Sequence, residues 1–167
     1  MRNIDIDRET VRISTFIRDY FNEAGFKKAV IGLSGGIDSA VSAALTVLAL
    51  GPENVMGFML PYKASDPNSL AHALQLVSAL NIDHRVIPIS SWTDTYFDGY
   101  EPQADQLRRG NWMARARMCV LFDQSAALNA LVIGTSNRSE LMVGYFTQYG
   151  DSACAIEPIG HLYKTEV

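Results

Sequence analysis

The sequence predicts an α/β fold in which a doubly wound parallel sheet is flanked by helices. Short apolar runs alternate along the chain with longer segments of helical periodicity. The apolar runs are continuous rather than alternating with polar residues, which is typical of parallel strands covered on both faces. Glycine and proline stand at the boundaries of several segments, as expected between strands and crossover helices.

Four strands and their connecting helices can be placed from this pattern. The predicted strands are residues 28–33, 54–60, 84–89 and 130–134. The predicted helices are residues 4–25, 39–50, 68–80 and 111–128, with a short helix and loop at 91–100. We expect a ligand to bind beyond the carboxyl ends of the strands, where such sheets bind theirs.

The helix boundaries follow from local signals. The first helix has apolar side chains such as Val11 and Phe21 near one face, and Gly25 is a natural stop. Gly51 and Pro52 close the second helix, and Ser65 or Asp66 can cap the third. The long fourth helix is rich in methionine and other apolar residues.

Composition narrows the class of protein. A chain of 167 residues with 48% hydrophobic and 19% charged residues is typical of one globular domain, which we expect to span residues 1–167. The net charge of −4 argues against a nucleic-acid partner. Cys119 and Cys154 form no C-x-x-C pair, so a zinc site or redox pair is not expected. Since no secretory signal or membrane-length apolar run is apparent, we expect a cytoplasmic protein that does not contact membranes.

The most informative segment lies between the first strand and the second helix. It consists of Gly32, Leu33, Ser34, Gly35, Gly36, Ile37, Asp38 and Ser39. A glycine turn that enters a helix N-terminus presents free backbone N–H groups and a positive dipole end, which favours phosphate. The Walker lysine and the dinucleotide glycine pattern are both missing.

Asp38 would repel a phosphate unless a cation lies between them, and Mg²⁺ binds carboxylate and phosphate oxygens together. Ser34 and Ser39 add hydroxyl donors to this expected site. The alternative is an ordinary glycine turn in which Asp38 caps the helix.

A second polar cluster, residues 135–140, follows the fourth strand and is expected at the same edge of the sheet. Glu140 is a candidate to share a metal ion with Asp38. Alternatively, Ser136 or Asn137 caps a helix and Glu140 completes a capping box, and both roles are compatible.

Two arginines on the long helix and one lysine near the end of the chain are further candidates. Arg115 and Arg117 are two residues apart and should point to different faces. Either could meet a substrate phosphate, while Lys164 is by default a surface lysine.

The glycine loop resembles the PP-loop of the ATP pyrophosphatases, which split ATP between its α and β phosphates. Longer motifs narrow the resemblance to NAD synthetase, over almost the whole chain from about residue 10. These motifs are Gly110-Asn111-x-x-Ala114-Arg115-x-Arg117-Met118, residues 134–141 (GTSNRSEL), Gly144-Tyr145-Phe146-Thr147-x-Tyr149-Gly150-Asp151 and Pro158-Ile159-Gly160-x-Leu162-Tyr163-Lys164-Thr165.

The resemblance implies roles for matching residues. Residues 32–39 would form the ATP loop, with Thr135 and Lys164 as further ATP contacts. Asp38 and Glu140 would bind Mg²⁺. The acid substrate, deamido-NAD, would lie near Arg115, Gln148 and Asp151. The family is usually a homodimer with this acid bound across the interface, to which helix 111–128 would contribute. The interface would explain the methionines of this helix, and the alternative is that they pack in the core.

The implied reaction is the amidation of deamido-NAD to NAD. The nicotinate carboxylate attacks the α-phosphorus of ATP and releases pyrophosphate, and ammonia then displaces AMP. No protein nucleophile is needed, and catalysis would rest on positioning and charge neutralisation. Free ammonia is the simpler nitrogen source, since no glutaminase segment is apparent.

Several positions depart from the family pattern in the half of the site that binds the acid. Met113 and Gln148 stand where the family has lysine, Ser152-Ala153 replaces two glycines, and Ala155 replaces an aspartate. The chain also stops where the family continues with further helices, which predicts a domain incomplete at its C-terminus. A related amide ligase for a different carboxylate, or an ATP-binding fragment without catalysis, therefore remain as alternatives.

Overall fold

The computed structural model describes residues 4–167 and contains one parallel sheet of four strands. The strands are β1 (Lys28–Gly32), β2 (Val55–Met59), β3 (Asp83–Val86) and β4 (Ala130–Ile133). Their order is β3-β2-β1-β4, with β1 paired to both β2 and β4. The chain therefore winds outward from β1 in one direction and returns to the other side of β1, which confirms the doubly wound prediction. The first three residues of the predicted span 1–167 lie outside the described range.

Six α-helices and one 3₁₀ turn surround the sheet within the described residues. They are α1 (Ile6–Ala24), α2 (Ile37–Leu50), the 3₁₀ turn Pro52–Asn54, α3 (Pro67–Leu80), α4 (Ser90–Tyr100), α5 (Gln106–Leu128) and α6 (Arg138–Val143). Gly25 ends α1 in the left-handed conformation at φ 75°, as its position in the sequence predicts.

The two faces of the sheet carry different helices. One buried cluster joins β1 and β2 to α1, α2 and α3 through residues such as Ile17, Phe21 and Val77. The other joins the opposite face to α5 and the start of α4 through Phe58, Ile89 and Val120. This layering leaves the carboxyl ends of β1, β2 and β4 uncovered by the crossover helices.

Two predicted boundaries are wrong. Helix α5 begins at Gln106 rather than at residue 111, because the Asp105 carboxylate accepts the Arg108 N–H at 2.8 Å and caps it. Gly110 lies inside the helix. Strand β3 ends at Val86 rather than at 89, although the N–H groups of Ile87 and Ile89 still donate to carbonyls at the end of β2 and beyond it.

A segment near the C-terminus extends the sheet beyond β4. Ile156 forms a parallel bridge with Ile133, and the Ala155 N–H donates to the Val132 carbonyl at 2.9 Å. The Gly134 N–H returns a bond to the Ile156 carbonyl at 2.9 Å. This pairing, which the sequence did not predict, carries Glu157 to the carboxyl end of β4. No helix in residues 4–167 is long and apolar enough to cross a membrane.

Candidate functional site

The glycine loop joins β1 to α2 as predicted, with Gly36 as the N-cap of α2. Gly36 has no side chain to occupy the first-turn N–H groups, and Asp38 lies in the first turn instead of at the cap. The reading of Asp38 as the helix cap is therefore wrong. A helix start of this kind presents N–H groups and the positive dipole end to an anion.

Gly35 is required by both conformation and space. Its φ of 81° lies in the left-handed region, and a Cβ at this position would lie 2.1 Å from the Ser69 carbonyl oxygen. The start of α3 thus packs directly against the loop, and no larger residue fits without moving one of them.

Serine hydroxyl groups stabilise the loop from within. The Ser39 hydroxyl donates to the Gly36 carbonyl at 3.0 Å and accepts the Ser34 N–H at 3.3 Å. The Ser34 hydroxyl accepts the Gly36 N–H at 3.2 Å. Ser39 is 2% exposed, so its hydroxyl braces the turn from within, and its contact with ATP stays a prediction.

Asn137 connects the two acidic candidates. Its side-chain N–H donates to Asp38 at 3.0 Å, while its backbone N–H donates to the Glu140 carboxylate at 3.1 Å. The Glu140 N–H returns a bond to the Asn137 side chain at 3.0 Å, which completes the capping box of α6. Asn137 is fully buried, so the starts of α2 and α6, which carry the two acids, are held in one fixed arrangement.

Lys164 lies beside the same carboxylate and forms an ion pair with Asp38. Its backbone N–H donates to the Ser139 hydroxyl at 3.1 Å, which fixes the C-terminal segment against α6. The structure therefore brings Asp38, Lys164 and the start of α6 together. Within residues 4–167, no group of three or more His, Cys, Asp or Glu side chains could hold a metal ion alone.

The turn around Thr135 is held by a half-buried carboxyl group. Glu157 accepts the Ser136 N–H at 2.9 Å and interacts with the Cys154 thiol. Burial raises the pKa of Glu157 to about 7, against the opposing effect of these hydrogen bonds. Burial, together with the neighbouring Glu157, raises the pKa of the Cys154 thiol to about 12, so the thiol stays protonated at neutral pH.

A cavity of about 880 Å³ opens at the carboxyl ends of β1, β2 and β4. It is bounded by the glycine loop, the segment after β2, helix α5 and the segment after α6. Leu33, Ser34, Thr135 and Asp151 are among its lining residues, as the sequence-based expectation of a site at this edge requires.

The two arginines of α5 point in different directions, as predicted. Arg115 is exposed and its Nε donates to the Gln148 carbonyl at 3.2 Å, so these two candidates lie together but outside the cavity lining. Arg117 lines the cavity, and its Nε donates to the Leu60 carbonyl at 3.0 Å. Burial lowers the pKa of Arg117 below its ordinary value, although the nearby Asp151 charge opposes this.

The methionines of α5 face inward within this chain. Met113 packs against the buried cluster of the α5 face, and Met118 lines the cavity. This packing agrees with the alternative that the methionines belong to the core, and their contribution to an interface stays a prediction. The exposed side chains Arg115, Cys119 and Phe122 recur at helical spacing on another face of α5.

Sequence reasoning gave no specific role to three residues of the site. Asn137 was expected only as a possible cap, and its bond to Asp38 spans 99 residues of sequence. Glu157 was not singled out, and Arg117 was not distinguished from Arg115. These contacts become visible only in the structure. It places Glu157 against Gly134 and shows the direction in which each side chain of α5 points.

Comparison with known proteins places this geometry in a family. The NAD synthase family model matches residues 9–167. The NH(3)-dependent NAD(+) synthetase of Fusobacterium nucleatum is 52% identical over the whole chain, which spans 65% of that relative's length.

Two solved structures share the fold closely. An NH3-dependent NAD synthetase from Campylobacter jejuni, in complex with the nitrate ion, has a TM-score of 0.93 and 43% identity, covering 98% of this chain and 71% of that one. An NMN synthetase from Francisella tularensis has a TM-score of 0.93 and 32% identity, covering 98% of this chain and 68% of that one. The chain belongs to the NAD synthase family.

Proposed function

We propose that this chain carries the ATP site of an ammonia-dependent ligase that converts deamido-NAD into NAD. The observation that supports this most directly is the glycine loop at the start of α2, which opens on the same cavity as Thr135. Arg117 and Asp151 line that cavity on its other side, which leaves room for a second substrate beside ATP.

In the proposed reaction, a carboxylate oxygen of deamido-NAD attacks the α-phosphorus of ATP, and the bond to pyrophosphate breaks. Ammonia then attacks the activated carbonyl carbon, AMP leaves with the bridging oxygen, and one proton is lost from nitrogen. The loop amides and Lys164 would hold the phosphates and offset the charge on the leaving pyrophosphate. Thr135 would contact ATP at the end of β4.

Asp38 and Glu140 suit Mg²⁺ because both supply carboxylate oxygens and both are fixed by the buried Asn137. Two carboxylates with phosphate oxygens and water make an appropriate set of hard ligands. When bound, the ion would neutralise phosphate charge. Asn137 would hold the Asp38 carboxylate in place.

We further propose that the protein works as a homodimer in the cytoplasm, with α5 at the subunit interface. Only Val120 is buried among the 23 residues of α5 within this chain. Arg115 would then lie at the interface, beside Gln148, where the acid substrate could reach it.

The test is pyrophosphate release from ATP with deamido-NAD, Mg²⁺ and an ammonium salt, followed by omission of each component. We expect release only with all components present. Asp38→Asn should reduce the rate by at least about 100-fold through loss of a charged ligand, whereas the exposed control Asp19→Asn should match wild type. Release that is insensitive to deamido-NAD would reject the assignment, and ATP binding without any turnover would favour a binding module.

A second candidate acid has one specific observation in its favour. The similarity to an NMN synthetase, together with Gln148 and Ala155, is compatible with a mononucleotide acid as substrate. Competition between deamido-NAD and nicotinate mononucleotide in the same assay decides between them, since a higher kcat/KM for the mononucleotide would overturn the first choice.

A further inference from the structure

The Glu157 carboxyl group packs against the backbone at the end of β4. Its Oε2 accepts the Ser136 N–H at 2.9 Å, and the Cys154 thiol contacts the same carboxyl group. The backbone on either side of Glu157 is itself fixed, because the Ile156 carbonyl accepts the Gly134 N–H at 2.9 Å and the Glu157 carbonyl accepts the Gly160 N–H at 3.2 Å. The backbone that carries Glu157 is therefore held in place by hydrogen bonds on both sides.

The position of this carboxyl group depends on the absence of a side chain at Gly134. A Cβ at that position would lie 2.4 Å from the Glu157 carboxyl carbon and 2.5 Å from one of its oxygens. The carboxyl group and the glycine backbone are thus matched in shape, and the hydrogen bond to Ser136 needs that close approach.

The turn that Glu157 contacts is directly connected to residues of the candidate ATP site. Gly134 and Ser136 flank Thr135, which lines the cavity. Ser136 is 5% exposed and precedes Asn137, the buried side chain that donates to Asp38. A change in the turn at Ser136 would alter the direction of both neighbours.

We propose that Glu157 is a positioning residue of the ATP site, holding residues 134–136 so that Thr135 faces the cavity and Asn137 meets Asp38. The expected effect of Glu157 on ATP binding rests on the proposed function, whereas its expected effect on the turn does not. Glu157 does not line the cavity, so its action is through the turn and not through contact with substrate.

The experiment compares wild type with Glu157→Ala, Glu157→Gln and Gly134→Ala. Amide hydrogen exchange in the peptide that covers 134–140 should be at least about tenfold faster in Glu157→Ala and Gly134→Ala. Glu157→Gln keeps a carbonyl oxygen for the Ser136 N–H and should stay within about threefold of wild type. Peptides from α1 should exchange at wild-type rates in all three, and Glu23→Gln on exposed α1 is the matched control.

Activity provides an independent readout. In Glu157→Ala we expect the KM for ATP to rise about tenfold while the KM for deamido-NAD is unchanged, and Glu157→Gln should restore the ATP value. Unchanged exchange at 134–140, or equally faster exchange over the whole chain, would overturn the proposal. If wild type released no pyrophosphate, the proposed function would fail, while the exchange data would still decide the role of Glu157 in the turn.

Discussion

Asp38 interacts with two side chains, Asn137 and Lys164, which differ in how firmly they are held. Asn137 is fully buried, so its bond to Asp38 is part of the fold. The side chain of Lys164 is 49% exposed, and an ion pair of this exposure contributes only about 0–1 kcal/mol to stability. Lys164 can therefore leave Asp38 at small cost, while the carboxylate keeps its orientation.

Glu157 makes a residue-scale prediction about pH. Burial raises its pKa from 4.5 to about 7, so the carboxyl group contributes stability below about pH 4.5 that is lost as pH rises through about 7. Between about pH 5 and pH 8, the free energy of unfolding of wild type should fall by about 2–3 kcal/mol more than that of Glu157→Gln. Urea unfolding at both pH values measures the difference.

The Cys154 thiol next to Glu157 does not add to the pH dependence that this comparison measures. The Cys154 thiol stays protonated over the range, since its pKa is about 12, and Asp151 is the acidic neighbour whose charge further raises the pKa of Glu157. Equal pH dependence in wild type and Glu157→Gln would show that Glu157 is ionised in the same way in the folded and unfolded chain.

Among the elements, α6 depends on its first turn. The helix spans only Arg138–Val143, and none of its residues is buried. A helix this short has little intrinsic stability, so the capping box of Asn137 and Glu140 and the left-handed Gly144 define its two ends. The same cap positions Glu140, which explains why the structural and functional readings of this segment are compatible.

Replacing Asn137 tests this coupling of cap and site. Asn137→Ala should destabilise the protein by about 2–4 kcal/mol, because it removes a cap and leaves buried partners unpaired. The exposed cap variant Asp5→Ala should cost about 1 kcal/mol, since only a cap is lost there. Both are measured by urea unfolding, and equal losses in the two variants would mean that the bond to Asp38 contributes nothing.

Within this chain, the long helix α5 packs against the sheet and α4 but keeps one face exposed. Its inward residues, such as Met113, Val120 and Leu121, pack against the sheet. The face that carries Arg115, Cys119 and Phe122 is exposed, with Phe122 at 41%. This asymmetry is the element-scale basis for expecting a second subunit there.

For the whole molecule, the prediction is that Phe122→Glu weakens self-association. A buried aromatic contact typically dominates such an interface, so the dimer dissociation constant should rise at least about tenfold. Leu48→Glu on α2 is the matched control, since Leu48 is also exposed, at 57%, but lies on another helix. Sedimentation velocity over a concentration series measures both, and a wild type that stays monomeric at every concentration would contradict the proposed dimer.

The topology of the whole molecule explains why the site forms at this edge. β1 and β4 are neighbours, while α2, which follows β1, and α5, which precedes β4, lie on opposite faces of the sheet. The loops after β1 and β4 are therefore adjacent at the point where the winding reverses. Asp38 and Asn137, which are 99 residues apart in sequence, meet there. Lys164 reaches the same place from 126 residues away.

Much of this arrangement could be predicted because it depends on local physics. The continuous apolar runs, the glycine that ends α1 and the glycine loop before α2 each act within a few residues. The predicted start of α5 at residue 111 was wrong, because the cap at Asp105 decides where the helix begins.

The sequence by itself determined the parallel α/β fold, the glycine loop between β1 and α2 and the position of Glu140 one turn into a capped helix. The tertiary structure alone decided that Asn137 joins Asp38 to that cap, that Arg117 rather than Arg115 lines the cavity and that Glu157 holds the turn around Thr135. The physical reason is that caps and turns are fixed by neighbouring backbone groups, whereas these contacts arise only when the sheet brings distant segments to one edge.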